Sequence, residues 1–474
     1  MRGWSVVAAL LSLVAVTGCA YKAQTRAQGW VMVETEHIRL RTSLSRSRAI
    51  ELAREMQVVR DVLAGNVVRC PVIADDDKVA VTILPASRFT EIAPPALAGF
   101  QRRAKVTWLA DYESAIVMRD DLSQDARQVF QHELSHRLMA MCLPRAPVWL
   151  DEGMASLVET ALVKAGKVEI GIPPYVLVPE RIQPRAGYFR DVRVVVLSTN
   201  LLPPIRDLMG INFFAASAGG GEHGLIRSAA NYAAAWALVH MLMVGDVELR
   251  PRFVAFQQDL IHSETDPKDL FLKHFEGVPL QERLDAYIAG EKFALVRRPV
   301  AVPPRAAPRI RAMATGEANL HWAWLWSTLL KDGDAASHRR EHLFAAMKDP
   351  GTRADAYVLK ALLRLDGPDE DWAGAERDIE EGLRLEPDAP AVLHARIDLL
   401  LRRGADASVP AERLRRVART SEQRCAVARV DLASGRARQS LVLATAGLKH
   451  RPSSWTCRKT VEQARDALAG APGS

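Results

Sequence analysis

The apolar run Trp30 to Val33 and the alternating polar and apolar positions of His37 to Arg41 read as two strands joined as a hairpin. From Ser47 to Leu63 the apolar residues recur at helical spacing, the pattern of an amphipathic helix. Val79 to Leu84, ended by Pro85, and Ala115 to Met118 read as further strands. The stretch through Leu138, Met139 and Met141 is helical and should stop before Pro144, whose ring cannot continue it. Pro144 to Pro147 turn the chain, and a second helix opens at Trp149 and runs on through Ala155, Leu157, Val158 and Ala161. Val168 to Ile172 reads as a strand, Val192 to Leu197 as strand or helix, and Asn231 to Val239 as part of an apolar helix.

Periodicity changes character after Arg297. The segment to Arg309 is basic, rich in proline and free of acids, so it reads as an extended linker rather than a packed element. Beyond it nearly everything is helical. Glu380 to Pro390 and Ala446 to Trp455 look alike, with Gly382-Leu383 and Gly447-Leu448 before Pro387 and Pro452, which stand 65 residues apart. That spacing is close to twice the tetratricopeptide period, and the pattern resembles degenerate repeats of that kind. The resemblance implies helix pairs that stack on their neighbours and present a concave surface to a protein partner.

With 474 residues the chain should hold two or more domains and an ample core. A quarter of the residues are charged and about half are hydrophobic, an ordinary globular composition. The formal charge of +7 gives no case for nucleic acid and only slightly favours contact with anionic lipids or cell-wall polymers. At the N-terminus Arg2 precedes an apolar core, Val6 to Val16, that is too short to span a bilayer and suits a cleaved signal. Val16-Thr17-Gly18-Cys19 resembles a bacterial lipobox, which implies cleavage before Cys19 and a diacylglycerol anchor on it. Ala20, in place of aspartate, favours the outer membrane, facing the periplasm. The four other cysteines allow disulfides, and their positions favour Cys70 with Cys142 and Cys425 with Cys457.

Chemistry concentrates in one place. His132 and His136 lie four apart on the first of the two paired helices, so both imidazoles can reach one metal ion, and Glu133 beside them can take a proton from water. A catalytic zinc site usually has three protein ligands and one open position, and Glu152 on the following helix can supply the third. Gly153 lets that helix approach its neighbour closely. His223 and His240 are other candidate ligands without a partner at ligand spacing, and the run Gly219 to Gly224 reads as a loop, mobile over the cleft or plain surface.

The two motifs, His132-Glu133-Leu134-Ser135-His136 and Trp149-Leu150-Asp151-Glu152-Gly153-Met154-Ala155, resemble the gluzincin metallopeptidases, above all the aminopeptidase type and the bacterial peptidase MA-like proteins. The resemblance implies Zn²⁺ held by His132, His136 and Glu152, Glu133 as general base, and Tyr232 as donor to the oxyanion from the start of a later helix. Glu159, seven residues past Glu152, is placed to orient a ligand. Aminopeptidases of this type carry a Gly-x-Met-x-Asn strand that holds the substrate's amino end; Tyr112 to Arg119 lacks it, which favours an endopeptidase. Ala115 to Met118 could still pair with an extended peptide.

The expected organisation is a signal peptide (1–18), a tether (19–28), a thermolysin-like α+β peptidase domain (29–295), a linker (296–312) and an all-α repeat domain (313–474). The expected activity is zinc-dependent cleavage of envelope proteins or peptides. Two alternatives stand beside it: a cell-wall peptide hydrolase, and a lipoprotein scaffold whose zinc site is structural.

Overall fold

The computed structural model describes residues 27–469 except 67–77, 94–98, 104–107, 110–113, 121–123, 165, 174–201, 212–220, 264, 291–292, 301–305, 328–334, 366–369 and 452–453. The signal, Cys19, Cys70 and the segment Val192 to Leu197 therefore lie outside the described residues. Among the described residues no single helix is long and apolar enough to cross a membrane.

The predicted hairpin forms as β1 (Val31–Glu34) and β2 (Ile38–Thr42), with Val31 opposite Thr42 and Glu34 opposite Arg39. β3 (Val79–Leu84) lies parallel to β2, and β5 (Ser114–Arg119) parallel to β3. β4 (Gly99–Arg103) runs antiparallel to β5, and β9 (Arg309–Ala312) antiparallel to β1, giving a six-stranded sheet ordered β4-β5-β3-β2-β1-β9. A second, three-stranded sheet joins β6 (Leu162–Lys164), β7 (Lys167–Ile170) and β8 (Val296–Pro299).

Two expectations are corrected by this topology. The strand Ala115 to Met118 cannot accept a peptide, because β3 and β4 already pair with its two sides; β4 forms the sheet edge instead. The segment 296–312 is no linker. Its ends are strands, Arg297 bonds Glu169 across β7 and β8 at 2.6 Å, and β9 closes the main sheet against β1. A proline-rich chain is already extended, so it loses little entropy on pairing at an edge, where alternate arginines can face water.

Alternation sends the main sheet's side chains to two separate cores. Val31, Val33, Leu40, Val81, Ile83, Ile116 and Met118 face one core, shared with helix α1 (Arg46–Asn66) and the helices of the histidine motif. Met32, Ala80, Leu84, Ala115 and Val117 face the other, which includes Phe89 of α2 (Ala86–Ile92) and the C-terminal helices. A sheet buried on both faces reads as nearly unbroken apolar strands, as β3 does apart from Thr82.

On the first face α3 (Gln124–Cys142) and α4 (Val148–Glu159) carry the two motifs, and α5 (Gly221–His240) packs on α4 before one π-helical turn, Met241–Gly245. The glycine run is therefore helical from Gly221 onward, where the first helical turn tolerates glycine, rather than a loop through Gly224. Tyr232 accordingly sits well inside α5, not at its start. α6 (Arg250–His262), α7 (Pro267–His274) and α8 (Leu280–Ala289) complete this half, with Trp149 packed on Phe256 and Phe271.

The C-terminal half is helical: α9 (Thr315–Ser327), α10 (Ala335–Lys348), α11 (Arg353–Leu365), α12 (Trp372–Leu385), α13 (Pro390–Arg402), α14 (Ser408–Val417), α15 (Ser421–Ala433), α16 (Ala437–His450) and α17 (Trp455–Ala469). The odd-numbered helices touch in series, α9 to α11, α13, α15 and α17. α9 is buried all round between the sheet and its neighbours: His321 Nε2 meets Thr82 Oγ1 at 3.0 Å, and Trp322 meets Trp30 edge to face. On α13, Asp398 accepts from Trp108 Nε1 at 2.8 Å and from Arg429 at 2.6 Å. α9 and α13 thus pack against the N-terminal half. Cys425 and Cys457 form a disulfide between α15 and α17, and Cys142 is also disulfide-bonded.

Candidate metal centre

α3 is long enough to hold both histidines because nothing breaks it before Pro144, and Leu134 and Leu138 bury its opposite side. α4 starts after Pro147, whose extended backbone lets the chain re-enter a helix, and Asp151 sits in the first turn, favourable to the helix dipole. The two helices lie side by side, and α5 closes on α4 at Gly153. A Cβ at Gly153 would come within 2.6 Å of the Ala235 carbonyl oxygen and of Val239 Cγ2, so glycine is a packing requirement there.

His132, His136 and Glu152 converge. His132 Nε2 and His136 Nε2 lie 3.6 Å and 3.5 Å from the same atom, Glu152 Oε2. These separations are too long for good hydrogen bonds. They are close to the ~3.3 Å between ligand atoms on a tetrahedral zinc ion with ~2.0–2.1 Å bonds. Glu152 is 4 % exposed, and its Oε2 has no hydrogen-bond partner. A buried carboxylate oxygen aimed at two imidazole nitrogens is costly unless a cation joins them. The three residues could hold a metal ion, and their donor atoms are compatible with zinc.

The far nitrogens are held too. His132 Nδ1 lies 2.8 Å from Glu159 Oε2 in a hydrogen bond. His136 Nδ1 lies 3.0 Å from Asp151 Oδ2, close enough to pair although not aligned as a hydrogen bond. With a cation bound, contacts of this kind would keep each Nε2 free to face it. The sequence reading singled out Glu159 but gave Asp151 no role, although it stood inside the quoted motif.

Electrostatics agree with a cation site. Burial lowers the basicity of His132, but the contacts with Glu152 and Glu159 and the charges of Glu159 and Glu133 prevail, and its pKa is pushed up to about 10. His136 is raised as well: burial and the His132 charge oppose it, and Asp151 and Glu152 outweigh them. The carboxylates around the two imidazoles favour positive charge there, on the rings themselves or on a bound cation.

Glu133 follows His132 on α3 and is half-buried. Tyr232 is partly buried against the core on α5, one turn before Ala235 and on the same face as Ala235 and Val239, which touch Gly153. His240 is not part of the centre. Its Nε2 bonds the Gly171 carbonyl at 3.1 Å and its Nδ1 the Tyr287 hydroxyl at 2.7 Å. Burial lowers its pKa to about 4 against the pull of the Gly171 and Ala294 carbonyls, so it is neutral. The side chain of His223 lies outside the described residues.

Comparison with family models, curated proteins and solved structures finds no match, so the functional reading stands on these residues alone.

Proposed function

We propose that this chain is a zinc-dependent peptidase of the gluzincin kind, acting as an endopeptidase on proteins or peptides of the bacterial cell envelope, to which a lipid on Cys19 tethers it. The observation that carries the reading is the pair of imidazole Nε2 atoms converging on the unpartnered Oε2 of Glu152, with a carboxylate behind each ring. His132, His136 and Glu152 hold the ion; bound zinc polarises a carbonyl and acidifies water. Glu133 takes the proton of the attacking water and hands it to the departing nitrogen. Tyr232 would donate a hydrogen bond from its hydroxyl to the developing oxyanion. Glu159 and Asp151 keep the rings turned towards the ion.

A purely structural zinc site has no use for an acid at Glu133, and this separates catalysis from a scaffold role. The test is Glu133→Gln in the full chain: zinc near one equivalent is retained, and cleavage of envelope proteins is abolished. Unchanged turnover in that variant, or wild-type protein without zinc, refutes the reading.

A further inference from the structure

Glu159 bonds His132 Nδ1 at 2.8 Å from the far end of α4. It is the last residue of α4, where backbone carbonyls lack helical donors and the helix dipole opposes a negative charge. Beside it lies an open-sided cavity of ≈ 370 Å³ lined by Arg127, Gln128, Gln131, Glu159, Thr160 and Leu162, so the carboxylate has room to swing away. The end of α4 is also tied to α3 by hydrogen bonds.

Gln131, the residue before His132, is 8 % exposed and unused by the proposed chemistry. Its Nε2 donates to the carbonyls of Val158 and Ala161, both at 2.9 Å. These flank Glu159 on either side. One amide therefore ties the frayed end of α4 to the helix that carries both histidines, and its two N–H dipoles offset partial negative charge where Glu159 sits.

We propose that Gln131 is a positioning residue that acts through Glu159, keeping its carboxylate on His132 Nδ1 and so tuning metal affinity. This rests on the metal-centre reading above. Zinc affinity of the full chain, measured by competition with a chromophoric chelator, is compared among wild type, Gln131→Leu, Glu159→Gln and the double variant. Gln131→Leu, similar in volume but without donors, weakens binding about tenfold. The double variant binds no more weakly than Glu159→Gln alone, because both changes break one link. Wild-type affinity in Gln131→Leu, or two effects that multiply, overturns the proposal.

A second measurement needs no metal. In the metal-free protein, the NMR signal of the hydrogen-bonded His132 Nδ1 proton is present in wild type and lost or broadened in Gln131→Leu. An unchanged signal overturns the proposal even if wild type binds no zinc, an outcome that sinks the metal reading separately. If Gln131→Leu fails to unfold cooperatively, Gln131→Asn replaces it. That shorter amide reaches at most one carbonyl and should weaken binding and the proton signal partway; wild-type values in it overturn the proposal.

Discussion

Asp151 Oδ2 stands 3.0 Å from His136 Nδ1, immediately before the glutamate that shares that histidine's other nitrogen. One turn of α4 thus supplies both the oxygen that faces the two imidazoles and the carboxylate beside the far nitrogen of the His136 ring. The pairing of His132 with Glu159 repeats the device from the other end of the same helix. α4 is therefore as much a part of the centre as the helix that bears the histidines.

Replacing Asp151 by alanine should lower zinc affinity about 10- to 100-fold, because the ring loses its orienting partner. Asp151→Asn keeps an acceptor and should lose less. Chelator competition at fixed pH measures both, and equal affinity in Asp151→Ala and wild type would remove this carboxylate from the centre.

Gly153→Ala sets two effects against each other. Alanine gains about 1 kcal/mol of helix propensity. Its Cβ, however, would stand 2.6 Å from the Ala235 carbonyl oxygen, a backbone atom that cannot move alone. Overpacking of this kind costs about 1–3 kcal/mol, so a net loss is expected. The urea midpoint should fall, and zinc affinity with it, since separating α4 from α5 displaces Glu152.

His240 makes stability depend on pH. Its pKa falls from an ordinary 6.5 to about 4 in the folded chain, so the unfolded chain binds the proton first as pH drops. Its contribution is whole above about 6.5 and is lost as pH falls towards 4, by about 3 kcal/mol. Urea midpoints at pH 7.5 and 4.5 should differ less in His240→Gln than in wild type. His321, buried and shifted the same way, acts in both proteins and cancels from the comparison.

Reduction of the Cys425–Cys457 bridge, whose partners are 32 positions apart, should destabilise the last three helices by about 3–4 kcal/mol through loop entropy. Thermal unfolding of Cys425→Ala/Cys457→Ala should show an earlier transition in that region. Zinc affinity should not change, because the bridge lies between α15 and α17, far along the chain from α3 and α4.

Much of the centre was legible because its geometry is local. Four residues is just over one helical turn, so His132 and His136 share a face in any helix, and the Trp149 to Ala155 motif marked where a third ligand would come from. Asp151 and Gln131 sat in plain view beside named residues. Their partners depend on how α3 and α4 are rotated about their axes, which periodicity does not fix. The segment 296–312 misled for a related reason. Pairing Arg309 with Glu34, or Arg297 with Glu169, joins distant parts of the chain, and composition alone reports only that the segment is extended.

By itself the sequence determined the hairpin, the strand Val79–Leu84, the two motif helices, the stop at Pro144 and the identity of the convergent ligands, because each follows from spacing along one element. Only the tertiary structure decided that β5 is closed on both sides, that α9 roofs the second face of the sheet and that Glu152 turns inward between two imidazoles. A helix as apolar as α9, with Trp322, Trp324 and Trp326 in one short run, had to be buried somewhere. It went to the back of the sheet, where Trp322 meets Trp30 and His321 meets Thr82.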